Sequence, residues 1–151
     1  MRWLARAWPA IVWASVIALF STHWFTDQNT GRIIFPLLHF FFPHRPFRFY
    51  VRADHLIRKG AHVTEYFIFS LILLHTIRGK QTGWRLAWAL IAVLIAFAYA
   101  CTDELHQAFV PGRGVEFDDV LLDTAAATVA QVVAGAWIAL RTNAAARKPQ
   151  H

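Results

Sequence analysis

Residues 84–101 read WRLAWALIAVLIAFAYAC, an apolar run with one charge, and TDELHQAFVPGRG follows at once. Out of water, such a run satisfies its backbone only as a helix, and about 20 such residues cross a bilayer. Residues 8–25, 60–77 and 120–140 are runs of the same kind. Composition agrees: 57% of residues are hydrophobic and 16% charged, against roughly 45–50% and 25% in soluble domains. Trp3, Trp8, Trp24, Trp84 and Trp137 fall near the ends of the runs, where aromatic belts form. The expected fold is therefore all-α, an integral membrane helical bundle with four transmembrane helices.

The segment 33–43, IIFPLLHFFFP, is too short to cross and is interrupted by Pro36 and Pro43. It is expected to lie at the interface or to re-enter the bilayer. Residues 1–141 then form one transmembrane domain, and 142–151 a short soluble tail. Arg2 and Arg6 ahead of an apolar run imitate a secretion signal. No small-x-small cleavage site follows, however, and the run is long for that purpose, so it is expected to be retained. Ala126, Ala130 and Ala134 recur every four residues on the last run, a stripe suited to close helix packing.

Four crossings would place both termini and the 78–85 loop on one face, with 26–59 and 102–119 on the other. The nine acidic residues all fall on or near the second face. Lys and Arg divide eight to seven between the faces. Setting aside Arg58, Lys59 and Arg113, which adjoin buried acids, leaves eight against four, so the termini are expected in the cytoplasm of a bacterial inner membrane.

A net charge of +6 raises the question of nucleic acid. The basic residues flank apolar runs, which points to a membrane surface instead. RGKQTG lacks the upstream Gly and the following Ser or Thr of a phosphate-binding loop. Cys101, the single cysteine, forms no intramolecular disulfide, and no Cys/His zinc spacing exists. The basic-aromatic stretch HRPFRFYVR is expected at the interface, against lipid phosphates.

Helical spacing gathers the remaining polar residues. Arg58, His62 and Glu65 stand at i, i+4 and i+7, with Tyr66 beside them. Asp103, His106 and Gln107 stand at i, i+3 and i+4, with Glu104 adjacent, and Asp119 and Asp123 share a face. Pro111 and Gly112 turn the chain so that Arg113 points back at these carboxylates. A charged group at the bilayer centre costs about 2.5–3.5 kcal/mol on insertion scales. Glu65 is therefore expected to face other helices, with Arg58, Lys59, His62 or Arg113 as its partner.

RKGAHVTEYFIFSLIL and DELHQAFVPGRGVEFDDVLLDT resemble the VanZ-like family of bacterial membrane proteins, over roughly residues 54–135. The family's basic pair, His and Tyr match Arg58, Lys59, His62 and Tyr66. Its Asp-Glu-x-x-Gln matches Asp103, Glu104 and Gln107, and its Pro-Gly-Arg turn matches Pro111, Gly112 and Arg113. Its Asp-x-x-x-Asn matches Asp119 and Asp123, with Asp replacing Asn; an Ala also replaces the Gly usual a few residues later. His106 is not characteristic of the family. The resemblance implies a link to glycopeptide (teicoplanin) resistance at the cell envelope, without an assigned reaction.

Three readings of the cluster stay open. As an enzyme, Glu65, His62, Asp103, Glu104 and Asp119 would handle protons, while Arg58, Lys59, Tyr66, His106, Gln107, Arg113 and Asp123 bind substrate. That substrate would be an anionic or lipid-linked envelope precursor, held by its phosphate. As a scaffold or binding protein, the same groups would hold a lipid or antibiotic, or only staple helix ends. The pairs His62/Glu65 and Asp103/His106 suggest a metal site, but the spacing is common by chance, and no metal or other cofactor is assigned.

Overall fold

The computed structural model describes residues 4–22, 27–111 and 116–146. They form five helices: α1 (Leu4–Phe20), α2 (Asp27–Phe41), α3 (Phe47–Arg78), α4 (Leu86–Gln107) and α5 (Phe117–Ala146). No strand occurs among the described residues. Three helices are long and apolar enough to cross a membrane: α3, α4 and α5, with mean hydropathies of 1.3, 1.9 and 1.4 over their most apolar windows.

Of the four expected spans, three are long enough to cross and the fourth, α1, is a shorter apolar helix among the described residues. At 17 residues, α1 is about 26 Å long, short of a hydrocarbon core near 30 Å. It ends where Ser21 and Thr22 turn their hydroxyls back, Ser21 Oγ to Ile17 O at 3.0 Å and Thr22 Oγ1 to Leu19 O at 2.7 Å. Ile17 O also accepts the backbone N–H of Ser21 at 3.0 Å, and Leu19 O that of Thr22 at 3.2 Å, a tightened last turn.

The second run also has different limits. Gly60 does not open α3, which starts at Phe47 and runs for 32 residues, or about 48 Å. The basic-aromatic stretch 44–52 thus runs into α3, whose first turns hold its residues from Phe47 onward. Pro46 stands ahead of it in an extended conformation, where its missing N–H costs nothing. Gly79 ends α3 with φ at 59°, and its N–H donates to His75 O at 3.1 Å.

The segment 33–43 belongs mostly to α2, which contains Pro36 and stops before Pro43. Its 15 residues pack against the start of α3, where Tyr50 Oη donates to Phe42 O at 2.7 Å. Phe35 meets Phe47 edge-on at 5.7 Å. Ile33, Leu37 and Phe40 are left exposed on its other side, as a helix lying against lipid requires. At the far end, α5 continues through Ala146, so residues 142–146 are helical.

The three long helices run up, down and up, with α5 packed on both α3 and α4. Lipid tails are as apolar as leucine, so close approach rather than hydrophobic exclusion joins helices here. The facing surfaces are accordingly small: Ala89, Ala92, Ala96 and Ala100 of α4, and Ala126, Ala127 and Ala130 of α5, are buried. Ala134 is only half-buried. Gly135 takes over there, since a Cβ on it would come within 3.2 Å of the Trp84 indole. Leu90, Leu94, Val132 and Leu140 cover the outside.

Candidate functional site

The ends of α1 and α4 meet the start of α5 and the second third of α3, and the polar side chains converge there. From α3 come Lys59, His62, Glu65 and Tyr66; from α4, Asp103, Glu104 and Gln107; from α5, Asp119 and Asp123. Asp103, Glu104, Gln107, Asp123, Glu65 and Tyr66 are all buried.

Asp103 is held on both oxygens. Gln107 Nε2 donates to Oδ2 at 3.0 Å, one helical turn away. Ser21 Oγ donates to Oδ1 at 2.5 Å, from the end of α1. Glu104 Oε1 accepts the backbone N–H of Glu116, immediately before α5. A carboxylate suits that place, because unpaired N–H groups and the helix dipole make the start of a helix positive. Asp118 and Asp119 occupy the same first turn.

Lys59 Nζ bridges two of these acids, Glu116 at 2.9 Å and Asp119. Glu116 lies ahead of α5. The Lys59 ammonium, by hydrogen bond and by charge, holds its carboxyl below the usual carboxylate range. Deeper in, His62 Nδ1 stands 3.5 Å from Asp123 Oδ2, an ion-pair distance between α3 and α5. Tyr66 is wholly buried one turn below His62, within electrostatic reach of Asp103, Asp123 and Glu65. Glu65 faces the bundle, as its position in α3 demands, and Trp13 Nε1 of α1 donates to its backbone oxygen at 2.9 Å. Glu65 and Arg58 both have partners, and Arg58 is half-buried and feels the charge of Glu116.

One expected site residue stands apart. His106 is exposed, because at 100° per residue it lies roughly 100° round α4 from the centre of the arc that buries Asp103, Glu104 and Gln107. The pair Asp103/His106 therefore does not face His62/Glu65, and among the described residues no three His, Cys, Asp or Glu are grouped to hold a metal. Arg113 and Gly112 lie outside the described residues.

Sequence reasoning missed Ser21 and Trp13. Tyr99 Oη donates to Ala14 O at 2.5 Å and Thr76 Oγ1 to Arg6 O at 3.2 Å, so with Trp13 and Ser21 four polar side chains sew α1 to α3 and α4. Ser21 carried no signal, since a lone serine after an apolar run reads as a helix end. Also missed was a basic stripe: Arg48, Arg52, His55, Lys59 and His62 recur at helical spacing on α3. Arg48, Arg52 and His55 are exposed, Lys59 and His62 partly buried, and Tyr66 closes the row. The spacing was legible, but it becomes a helical face only once α3 is known to start at Phe47.

No curated protein and no solved structure matches the chain. A family model described as VanZ/LLP1 matches residues 7–139, wider than the motif-bearing stretch alone, and the chain therefore belongs to the VanZ/LLP1 family of membrane proteins.

Proposed function

We propose that the protein binds the phosphate-bearing head group of an envelope lipid at this end of the bundle, with His62 and Asp123 beside it as an acid–base pair. The observation that carries the reading is the basic stripe of α3, which grades from exposed Arg48, Arg52 and His55 to the partly buried His62. A stripe of this kind attracts a phosphate and aligns it with the helix.

The carboxylates outnumber the cations in the buried cluster, and Lys59 is already engaged by Glu116 and Asp119. A phosphate is therefore held at the basic rim by Arg48, Arg52 and His55, with Arg58 adjoining, rather than clamped by Lys59 among the acids. Asp103, Glu104 and Glu65 set the field around His62. An imidazole next to a carboxylate passes a proton in either direction near neutral pH. The lipid substrate class, whether a polyprenyl-linked wall precursor or a phospholipid, follows from the site's position at a bilayer boundary.

In this reading α1 is the fourth span, slightly tilting or thinning the bilayer around its shorter length. Both termini then lie in the cytoplasm of a bacterial inner membrane, and the site faces outward. Resistance to teicoplanin would follow if the bound lipid is one whose handling alters the antibiotic's access to the envelope.

The test is binding of a polyprenyl monophosphate and of phosphatidylglycerol to the purified protein in phosphatidylcholine nanodiscs. Saturable binding is expected, weakened about tenfold by the pair Arg48→Glu and Arg52→Glu, as loss of charge-assisted contacts implies. Failure to bind either lipid sinks the proposal. A second reading, a scaffold whose polar groups staple helices, is favoured by one observation: Ser21–Asp103 and Lys59–Asp119 each join two helices. A scaffold retains its activity in cells when His62 becomes Gln; the acid–base reading requires its loss.

A further inference from the structure

Below His62 and Asp123, polar groups continue inward along the contact between α3 and α5. On α3, His62, Tyr66 and Ser70 stand at i, i+4 and i+8; on α5, Asp123, Ala127 and Gln131 do the same. The rows are parallel and in one register. His62 Nδ1 is 3.5 Å from Asp123 Oδ2, Ser70 Oγ donates to Ala127 O at 2.9 Å, and Gln131 Nε2 donates to Ser70 Oγ at 2.8 Å and to Ser70 O at 2.9 Å. Ser70 and Gln131 thus lie about 12 Å deeper than His62 and Asp123. Ala127, opposite Tyr66, fills little of the gap between the two polar levels.

Four side chains of this seam keep a polar atom without a hydrogen-bond partner among the described residues: His62 Nδ1, Asp123 Oδ1, Tyr66 Oη and Gln131 Oε1. Asp123, Tyr66 and Gln131 are 3%, 0% and 3% exposed. A buried polar atom left unmatched costs about 1–3 kcal/mol, and several such atoms along one contact between two helices add up to a large cost. Internal water is the ligand that satisfies them, since it takes two to four hydrogen bonds and both donates and accepts. The seam offers a carboxylate oxygen and an amide oxygen as acceptors, with a phenol between them that does both. Beneath it, Leu73 and Leu74 are buried and apolar, so the seam closes before the far side of the bundle.

We propose that the seam between α3 and α5 is an internal water-binding site that runs from the His62–Asp123 pair to Gln131. Tyr66 Oη donates a hydrogen bond to a water shared with Asp123 Oδ1 and accepts one from a water beneath it. That lower water gives its other hydrogen to Gln131 Oε1, so the chain is one of hydrogen bonds and no proton changes owner. The site is a blind pocket and gives the protein no leak across the membrane. It does not depend on the lipid that the basic stripe binds.

Solid-state NMR of the full-length protein in phosphatidylcholine–phosphatidylglycerol bilayers tests it. Magnetisation transferred from water should reach the Gln131 side-chain amide and the Tyr66 ring well before the Leu73 methyls at similar depth. Transfer to Gln131 no faster than to Leu73 means a dry seam and overturns the proposal. Tyr66→Phe keeps the ring against Phe69 and Tyr99 and removes only the hydroxyl. It should slow deuterium exchange of the Gln131 side-chain amide by about tenfold, as breaking a hydrogen-bond chain would. An unchanged rate in that variant overturns the place of Tyr66 in the chain of waters.

Discussion

Ser21 Oγ donates to Asp103 Oδ1 at 2.5 Å, joining the last turn of α1 to the last turns of α4 inside a buried contact. The same carboxylate takes its other bond from Gln107, so Asp103 is fixed in place by two helices.

Ser21→Ala should therefore destabilise the protein by about 1–3 kcal/mol, the cost of leaving a buried oxygen short of a donor. Ser21→Thr, which keeps a hydroxyl, should recover most of the loss. Thermal unfolding in bilayers reads both. In the Ala variant a cysteine placed at Thr22 should also label faster, because the end of α1 loses its tie to α4. Equal labelling in the two proteins would mean that other contacts hold α1.

Lys59 and Glu116 make a pH-dependent tie between α3 and the start of α5. The carboxyl of Glu116 titrates below its ordinary range because Lys59 stands against it. Its contribution is thus complete above the unfolded carboxylate value and fades as pH falls through the lower, folded one. Its side chain is 52% exposed, so the effect stays within about 0–1 kcal/mol. Glu116→Gln should cost stability at pH 7, and the cost should shrink progressively as pH falls below the ordinary carboxylate range. Lys59→Met should cost more than Glu116→Gln, since it also strips the cation from Asp119.

Much of this was legible in the sequence. Runs of apolar residues marked α3, α4 and α5, and helical spacing marked Glu65, Asp103, Gln107 and Asp123 as inward-facing. The same spacing failed for His106: i, i+3 and i+4 neighbours share a face only within an arc, and the buried arc of α4 is centred away from it. The extent of α3 was hidden because Gly60 and the charged residues before it read as a helix start. The long-range partners Trp13–Glu65 and Ser21–Asp103 were beyond reach, since no local pattern tells which turn of α1 meets which turn of another helix.

Gly135 reports how closely α5 approaches the loop before α4. A Cβ there would lie 3.2 Å from the Trp84 ring, tighter than ordinary contact, and α5 has no positive backbone angle at this position that would itself demand glycine. Gly135→Ala should be mildly destabilising, while Gly135→Leu should cost about 1–3 kcal/mol by overpacking. Trp84 fluorescence should shift in the Leu variant as the indole is displaced. A neutral Leu substitution would show that the indole has room to swing aside.

The pair His62 and Asp123 should behave as one unit. His62→Ala leaves Asp123, whose side chain is 4% exposed, as a buried acid facing an empty place. Asp123→Ala leaves His62, whose side chain is only 15% exposed, without its carboxylate. Each single change should therefore destabilise strongly, and the double change should cost less than their sum by about 0.5–3 kcal/mol. Unfolding of all four proteins under one set of bilayer conditions gives the coupling directly. A second cycle between His62 and Lys59, which bonds to different acids, should show much smaller coupling. Full additivity in the first cycle would mean that the 3.5 Å contact binds nothing, and the acid–base pair would lose its physical basis.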